Sequence, residues 1–151
     1  MDITRTIETA TPVDRVFDYL SDFTHTNDWD PGTVETTRRS GDGGTGTVYH
    51  NVSSFLGSKT ELEYTVTDLV PNERFALRGV NKTVVAKDTM TFESTPSGGT
   101  RVTYHAEFDF QGIVGRLAPV LSPVLALALK KLGDEAEKGM QRELDKLPAT
   151  S

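Results

Sequence analysis

One long stretch near the end of the chain decides the fold: Gly112–Leu147, with the sequence GIVGRLAPVLSPVLALALKKLGDEAEKGMQRELDKL. Its apolar residues recur at steps of three and four, which is the period of one face of an α-helix. These residues are Leu117, Leu121, Val124, Ala128, Leu132, Ala136, Met140, Leu144 and Leu147. The other face is largely charged, so the apolar face has to be covered by another part of the chain. The sequence therefore predicts one amphipathic helix packed against a second layer.

The residues before this helix predict that the second layer is a β-sheet. Residues 3–7 alternate as in a strand, and strand-like runs follow near 33–39, 46–55, 59–70, 73–80, 83–95 and 100–110. Short segments rich in Gly, Asn or Pro separate the runs, as hairpin turns require. Two short helices are expected after the first strand, beginning with Thr11 as a cap and ending at Pro31-Gly32. The prediction is an α+β fold with a seven-stranded antiparallel sheet.

The composition excludes several classes of function. The chain has 151 residues, no cysteine and a formal net charge of -6. We expect one domain spanning residues 1–151, with a frayed end at 148–151. The absence of cysteine excludes thiol nucleophiles and disulfides, and an acidic chain is a poor partner for nucleic acid.

The sequence also predicts a cytoplasmic protein without a transmembrane segment. The N-terminal residues do not form the basic and apolar pattern of a signal peptide. The most membrane-like run, Leu117–Leu129, has about 13 residues, whereas roughly 20 are needed to cross a bilayer. Peripheral contact with a membrane stays open, and a monomer or weak dimer is expected.

No metal site or cofactor is predicted. The three histidines, His25, His50 and His105, lie on different predicted elements and lack the paired spacing of metal ligands.

Four segments resemble the START-related superfamily, in its bacterial polyketide cyclase/dehydrase branch. They are TPVDRVF (11–17), Asp22-Phe23 with Trp29, VTDLVPNERF (66–75) and GGTRVTY (98–104). The resemblance implies a helix-grip architecture, in which a curled sheet wraps around the last helix. It also implies a cavity between them, which binds hydrophobic small molecules in many relatives. Relatives include lipid carriers, aromatic cyclases and quinone-binding proteins, so the resemblance does not fix an activity.

Period-two alternation along the strands predicts which side chains line this cavity. The expected lining is Val48, Leu62, Tyr64, Phe75, Met90, Phe92, Tyr104 and Phe108 from the sheet, with Leu121 and Leu125 from the helix. His50 and Asp88 are predicted to be the inward-facing titratable groups. A histidine beside a carboxylate in an apolar pocket can transfer protons near neutral pH. The same pair can equally be a structural contact without a catalytic role.

Three functions are compatible with these features. The first is binding of a hydrophobic or aromatic small molecule of lipid, polyketide or quinone type. The second is a cyclase or dehydratase in which His50 moves a proton and Asp88 sets its tautomer. The third is a module that binds a protein partner through the sheet face or the apolar helix.

Two prolines predict a movable segment at the start of the long helix. Pro119 and Pro123 each remove a helical hydrogen bond, so the helix is expected to be kinked or broken nearby. We expect Ile113–Val124 to form one wall of the pocket entrance and to move when a ligand enters.

Overall fold

A seven-stranded antiparallel sheet forms the larger layer in the computed structural model, which describes residues 1–148. The strands are β1 (Asp2–Thr9), β2 (Thr33–Ser40), β3 (Val48–Phe55), β4 (Ser58–Val70), β5 (Arg74–Val80), β6 (Val84–Ser94) and β7 (Thr100–Phe110). Their order is β1-β7-β6-β5-β4-β3-β2, so β2 to β7 form a meander and β1 pairs with β7. The sheet predicted from the turn residues is confirmed. Of the predicted frayed end, residues 149–151 lie outside the described chain.

The helices lie on one side of this sheet. Helix α1 (Val13–Leu20) buries Val16, Phe17 and Leu20. A 3₁₀ turn at Phe23–His25 and the single-turn helix α2 (Thr26–Trp29) follow, and α3 (Gly112–Asp145) closes the fold.

Thr11 does not cap α1, contrary to the prediction. Pro12 occupies the cap position, and no side chain bonds the free amides there. The buried hydroxyl of Thr11 donates instead to the carbonyl oxygen of Leu144 at the end of α3, at 3.0 Å. The residue therefore fastens the last helix to the start of the chain.

Helix α3 runs without a break from Gly112 to Asp145, so of the two predicted effects of its prolines, a kink or a break, the break is not present. Pro123 has no amide hydrogen to donate to the carbonyl of Pro119. The hydroxyl of Ser122 lies 3.3 Å from that carbonyl oxygen and donates to it instead. The Ser122 hydroxyl thus donates to a carbonyl oxygen that the amide of residue 123 would bond in a helix without Pro123.

The C-terminal half of α3 is packed tightly because two of its glycines admit close neighbours. A Cβ at Gly139 would overlap the carbonyl oxygen of Trp29 at the end of α2. A Cβ at Gly133 would lie 2.9 Å from Nη2 of Arg5 on β1. That guanidinium bonds Oδ1 of Asp134 at 2.9 Å and the carbonyl oxygen of Lys130 at 3.2 Å. The helix is therefore held at several points along this half.

The N-terminal half of α3 is largely exposed. Of its apolar residues, only Leu125 and Leu129 are buried. Among residues 1–148, α3 is the one helix long and apolar enough to cross a membrane by length and composition, and 11% of its most apolar segment is buried.

We predict that Gly139→Ala destabilises the protein. Alanine is the better helix former by roughly 0.5–1 kcal/mol, but the added methyl group collides with a backbone oxygen that cannot rotate away. We expect the free energy of unfolding in urea to fall by about 1–3 kcal/mol, as for overpacked cores. The exposed neighbour provides a control, since Lys138→Ala should change stability by no more than about 0.5 kcal/mol. A Gly139→Ala protein as stable as the parent would contradict the close contact.

Candidate functional site

A cavity of about 100 Å³ lies between the sheet and α3, with Trp29 in its wall. Strands β3, β4, β6 and β7 supply one wall, and the 3₁₀ turn, α2 and α3 supply the other. Its main side chains are Phe23, Trp29, Leu62, Tyr64, Asp88, Tyr104, Phe108, Phe110, Leu129 and Leu132. An apolar cavity of roughly 150 Å³ holds one benzene ring, so the closed cavity has room for about one small ring.

Five of the residues predicted from the sequence line this cavity: Leu62, Tyr64, Asp88, Tyr104 and Phe108. Others lie elsewhere on the same side of the sheet or on α3. Phe75, Met90 and Phe92 are buried in the apolar core, where Phe92 packs edge-on against Phe17 of α1. Leu125 is buried outside the cavity wall, and Leu121 is exposed.

His50 and Val48 lie on the opposite face of the sheet, so their predicted position in the cavity is wrong. Cross-strand partners share a face of an antiparallel sheet, and Tyr49 pairs with the buried Tyr64. The residues on either side of Tyr49 therefore point outward. Nε2 of His50 lies 3.2 Å from Oε1 of Glu61 on that outer face. The predicted pair of His50 with Asp88 is not formed.

The inner face of β3 is polar instead of apolar. Asn51 donates to Oγ1 of Thr36 at 2.8 Å, and Ser53 donates to Oδ1 of Asn51 at 2.7 Å. Thr26 also donates to Oγ1 of Thr36, at 2.6 Å. Sequence reasoning missed this polar wall, because two valines, Val48 and Val52, alternate on the other face of the strand.

Asp88 is the buried carboxyl of the cavity. Its residue is 3% exposed on the central strand β6, and Oδ2 accepts a hydrogen bond from the Tyr104 hydroxyl at 2.7 Å. Burial raises the pKa of Asp88 to about 6, while the bond from Tyr104 opposes the rise. Burial and the charge of Asp88 raise the pKa of Tyr104 well above its usual value. Tyr104 therefore stays a hydrogen-bond donor at neutral pH.

Within residues 1–148, two buried polar side-chain atoms lack a hydrogen-bond partner: Oδ1 of Asp88 and Nε1 of Trp29. Both residues line the cavity. The indole ring of Trp29 packs edge-on against Tyr104, with ring centroids 5.8 Å apart, and Tyr104 in turn bonds Asp88. One unpaired atom is an acceptor and the other is a donor. Because each costs about 1–3 kcal/mol when buried without a partner, a ligand that pairs with both is favoured.

Gly79 sets the position of Tyr64 in the cavity wall. The two residues are cross-strand partners on β4 and β5. A Cβ at Gly79 would lie 2.6 Å from Cε1 of Tyr64, so the phenol ring lies across the bare backbone of the glycine. Its other neighbour is Phe23, with ring centroids 4.9 Å apart. The ring is thereby fixed between the sheet and the 3₁₀ turn.

An open groove lies beside the cavity. It shares Ser54, Phe55 and Leu132 with the cavity wall and runs between the β3–β4 hairpin and α3. On α3 it is lined from Val124 to Glu135. Of the predicted entrance wall, Ile113–Val124, only the last residue contacts this groove. The entrance thus lies further along the helix than the prolines suggest.

The cavity and the rest of the described chain offer no cluster of metal ligands. In the part of the chain that the structure describes, no group of three His, Asp or Glu side chains is placed to hold a metal ion.

The fold and its enclosed cavity are those of the helix-grip class. A family model described as polyketide cyclase / dehydrase and lipid transport matches residues 1–150. The chain belongs to this family, which confirms the relationship predicted from the four sequence segments. A role in binding or converting a hydrophobic small molecule follows from membership, but a particular substrate does not. Comparison with curated proteins gives no match.

Solved structures of the same architecture come from several bacteria. The Zhui aromatase/cyclase from Streptomyces sp. R1128 is 15% identical, with a TM-score of 0.81, over 97% of this chain and 94% of that one. A protein from Thermus thermophilus is 13% identical, with a TM-score of 0.81, over 95% and 97%. A START superfamily protein from Mycobacterium smegmatis is 12% identical, with a TM-score of 0.77, over 96% and 97%. At these identities the likeness establishes the fold alone.

We predict that Asp88→Asn stabilises the protein at alkaline pH. The folded-state pKa of Asp88, about 6, lies above its ordinary value of 3.8, so the folded state holds the proton more tightly. The free energy of unfolding therefore falls as pH rises from about 4 to 6 and stays low above that range. A tenfold change in proton affinity corresponds to about 1.4 kcal/mol, so the full effect is on the order of 3 kcal/mol.

Urea unfolding of both proteins at pH 4 and pH 8 checks this. The variant should be the more stable one at pH 8, and the two should converge at pH 4. Burial also raises the pKa of Asp30, and the charge of Asp30 adds to the rise at Asp88, so the difference between the two proteins includes the repulsion between these carboxylates. A variant that is less stable than the parent at pH 8 would show that ionised Asp88 does not destabilise the folded protein.

Proposed function

We propose that the protein binds a hydroxyl-bearing aromatic or polyketide-type molecule in the cavity between the sheet and α3. A hydroxyl group of the ligand donates to Oδ1 of Asp88, and the same or a neighbouring oxygen accepts from Nε1 of Trp29. The observation that carries this proposal is the pair of unpartnered buried atoms, one acceptor and one donor, on two residues that line the same cavity.

The two atoms favour some ligand classes over others. A quinone offers only acceptor oxygens, so it satisfies Trp29 but leaves ionised Asp88 without a donor. A phenol or enol offers a donor and an acceptor on one oxygen. A simple hydrocarbon chain satisfies neither atom. Apolar contact with Leu62, Phe108 and Leu129 supplies the remaining affinity, at about 25 cal/mol per Å² of apolar surface buried.

The size of the cavity limits how the ligand is held. The enclosed space admits about one ring, and the groove beside it leads outward past Phe55 and Leu132. A larger ligand therefore places its hydroxyl-bearing ring at Asp88 and extends the remainder along α3. Lipid carriage and quinone binding are less favoured forms of the same role.

A second candidate function is acid-base catalysis in the same cavity. A carboxyl with a pKa of about 6 can accept and return a proton at neutral pH. In this function Asp88 is the proton-transferring group, and Tyr104 orients it through the bond to Oδ2. His50 has no part in it, since its side chain lies on the outer face. Cyclisation or dehydration of a bound polyketide is the reaction class that such a group serves.

Binding of 2-naphthol tests the proposal. We expect 2-naphthol to bind at least about tenfold more tightly than 2-methoxynaphthalene at pH 7.5 in calorimetric titrations. The methyl ether cannot donate a hydrogen bond to Asp88, and hydrogen bonds to charged groups contribute about 1.5–3 kcal/mol. The preference should fall in Asp88→Asn, which removes the charged acceptor of the hydroxyl group. Trp29→Phe should weaken binding of both naphthalenes, because the ether oxygen also accepts a hydrogen bond from Nε1.

The control for this experiment is His50→Ala, which changes a titratable residue outside the cavity and should keep the full preference. Equal binding of the two naphthalenes by the parent protein would refute hydroxyl recognition at Asp88. Turnover of a polyketide substrate by the parent, but not by Asp88→Asn, would select the enzymatic function over simple carriage.

A further inference from the structure

Exposed apolar side chains lie at the groove and continue from it along the N-terminal half of α3. Ile113, Val120 and Leu127 on α3 are 75%, 78% and 71% exposed. Across the groove, Leu56 at the tip of the β3–β4 hairpin is 57% exposed. We call this surface the entrance face and define it as the hairpin residues 55–58 with α3 residues 113–127. No other part of the described chain covers it.

Leu56 is unfavourable in two ways at its position. Its φ of 52° lies in the left-handed region, which favours Gly, Asn and Asp and disfavours bulky residues. Its side chain is also apolar and points into solvent. Asparagine would relieve both costs, as it does in many two-residue hairpin turns. A residue that fits neither the turn nor water indicates that the hairpin tip meets an apolar environment.

In the described chain, three cations without an ion pair lie beside the entrance face. Lys59 follows the hairpin, and Arg116 lies on the first turns of α3. The carbonyl oxygen of Lys82, in the β5–β6 turn, is 3.9 Å from the Cβ position of Gly112 at the start of α3. Within residues 1–148 none of these three side chains forms an ion pair, and each is exposed.

Few acidic residues lie beside this surface: exposed Asp109 precedes α3, and Glu61, which pairs with His50, follows Lys59. No Asp or Glu occurs between Gly112 and Gly133 or between Asn51 and Thr60, although the whole chain carries a net charge of -6. The first acids after this region, Asp134 and Glu135, pair with Lys130 and Lys131 beyond the far end of the entrance face. An apolar surface edged by free cations thus lies at one end of an acidic protein.

This combination matches an anionic bilayer. Apolar side chains enter the boundary between headgroups and acyl chains, while lysine and arginine stay beside the phosphates. A second copy of the chain fits less well, because a symmetric contact would bring Lys59, Lys82 and Arg116 against their equivalents.

The length and anchoring of α3 argue that it lies on a bilayer. The nearly uncharged stretch from Gly112 to Leu129 is about 27 Å long at 1.5 Å per residue, shorter than the roughly 30 Å hydrocarbon core. The rest of the helix is held against the fold by Gly139 and by the bonds to Arg5.

We propose that the entrance face docks on the surface of an anionic lipid bilayer, so that the groove to the cavity opens against the membrane. The proposal rests on the surface alone and holds whichever ligand the cavity takes.

Vesicle flotation with the purified full chain tests the docking. We expect the protein to float with vesicles of phosphatidylcholine containing about 30% phosphatidylglycerol and to stay largely unbound with pure phosphatidylcholine. Raising NaCl from 0.1 M to 0.5 M should reduce the bound fraction several-fold, because salt screens exposed charges.

Two pairs of variants locate the contact. Leu56→Asn combined with Leu127→Ser should lower the bound fraction at least about fivefold, and asparagine suits the left-handed turn, so the fold is kept. Val34→Ser is the apolar control, since Val34 is 50% exposed on β2 and is not among residues 55–58 and 113–127. Arg116→Glu should weaken binding, whereas Lys87→Glu, on the outer face of the sheet, should not.

Several outcomes would overturn the proposal. They are failure to float with either vesicle, equal floating with both, and full binding by the Leu56→Asn, Leu127→Ser protein. Resistance to 0.5 M NaCl and to alkaline carbonate would show insertion across the bilayer in place of docking. A dimer in sedimentation velocity that is lost on Leu127→Ser, without vesicle binding, would assign the face to self-association.

Discussion

The contact between Gly139 and the backbone of Trp29 is the constraint on which the rest of the structure depends. It brings α3 close enough to α2 to close the lower end of the cavity, and it places Trp29 in the cavity wall. Arg5 on β1 and Thr11 before α1 hold the same half of the helix through hydrogen bonds. Because all of these contacts lie in the C-terminal half, α3 has a fixed half that forms the cavity and a free half that borders its entrance. One continuous helix therefore lines the cavity with one half and borders its entrance with the other.

Buried polar groups without partners in the cavity wall lower the stability of the folded protein. A carboxyl group is buried on the central strand with one oxygen unpaired, and an indole donor beside it is also unpaired. Folding alone favours neither arrangement, because buried polar groups without partners and buried charges are both costly. Functional sites are where such departures from good packing and pairing are expected. The cost at Asp88 and Trp29 marks the site more clearly than any sequence motif does.

Much of the fold, but less of the site, follows from the sequence. The helical period of Gly112–Leu147 and the turn residues between the strands are local signals, and they predicted the helix and the sheet. Alternation gave the correct face for β4 to β7, where the inner side chains are mostly apolar. It failed on β3, because Val48 and Val52 lie outside while the inner face carries polar residues. Only pairing across strands, Tyr49 with Tyr64, decides that face. The unpaired indole of Trp29 depends on packing between distant segments, which no local pattern records.

The inner face of the sheet has two regions: one packs against α1, and the other lines the cavity. Around Phe75, Met90 and Phe92 it packs against α1 and carries the apolar core. Around Leu62, Asp88 and Ser53 it faces the cavity. Substitutions in the second region alter the shape and polarity of the cavity directly, although Leu62 belongs to the same buried cluster as Phe75, Met90 and Phe92. Such a division allows related proteins with the same fold to bind different ligands. Solved structures that share only 12% to 15% of their residues with this chain keep the same architecture, with TM-scores of 0.77 to 0.81.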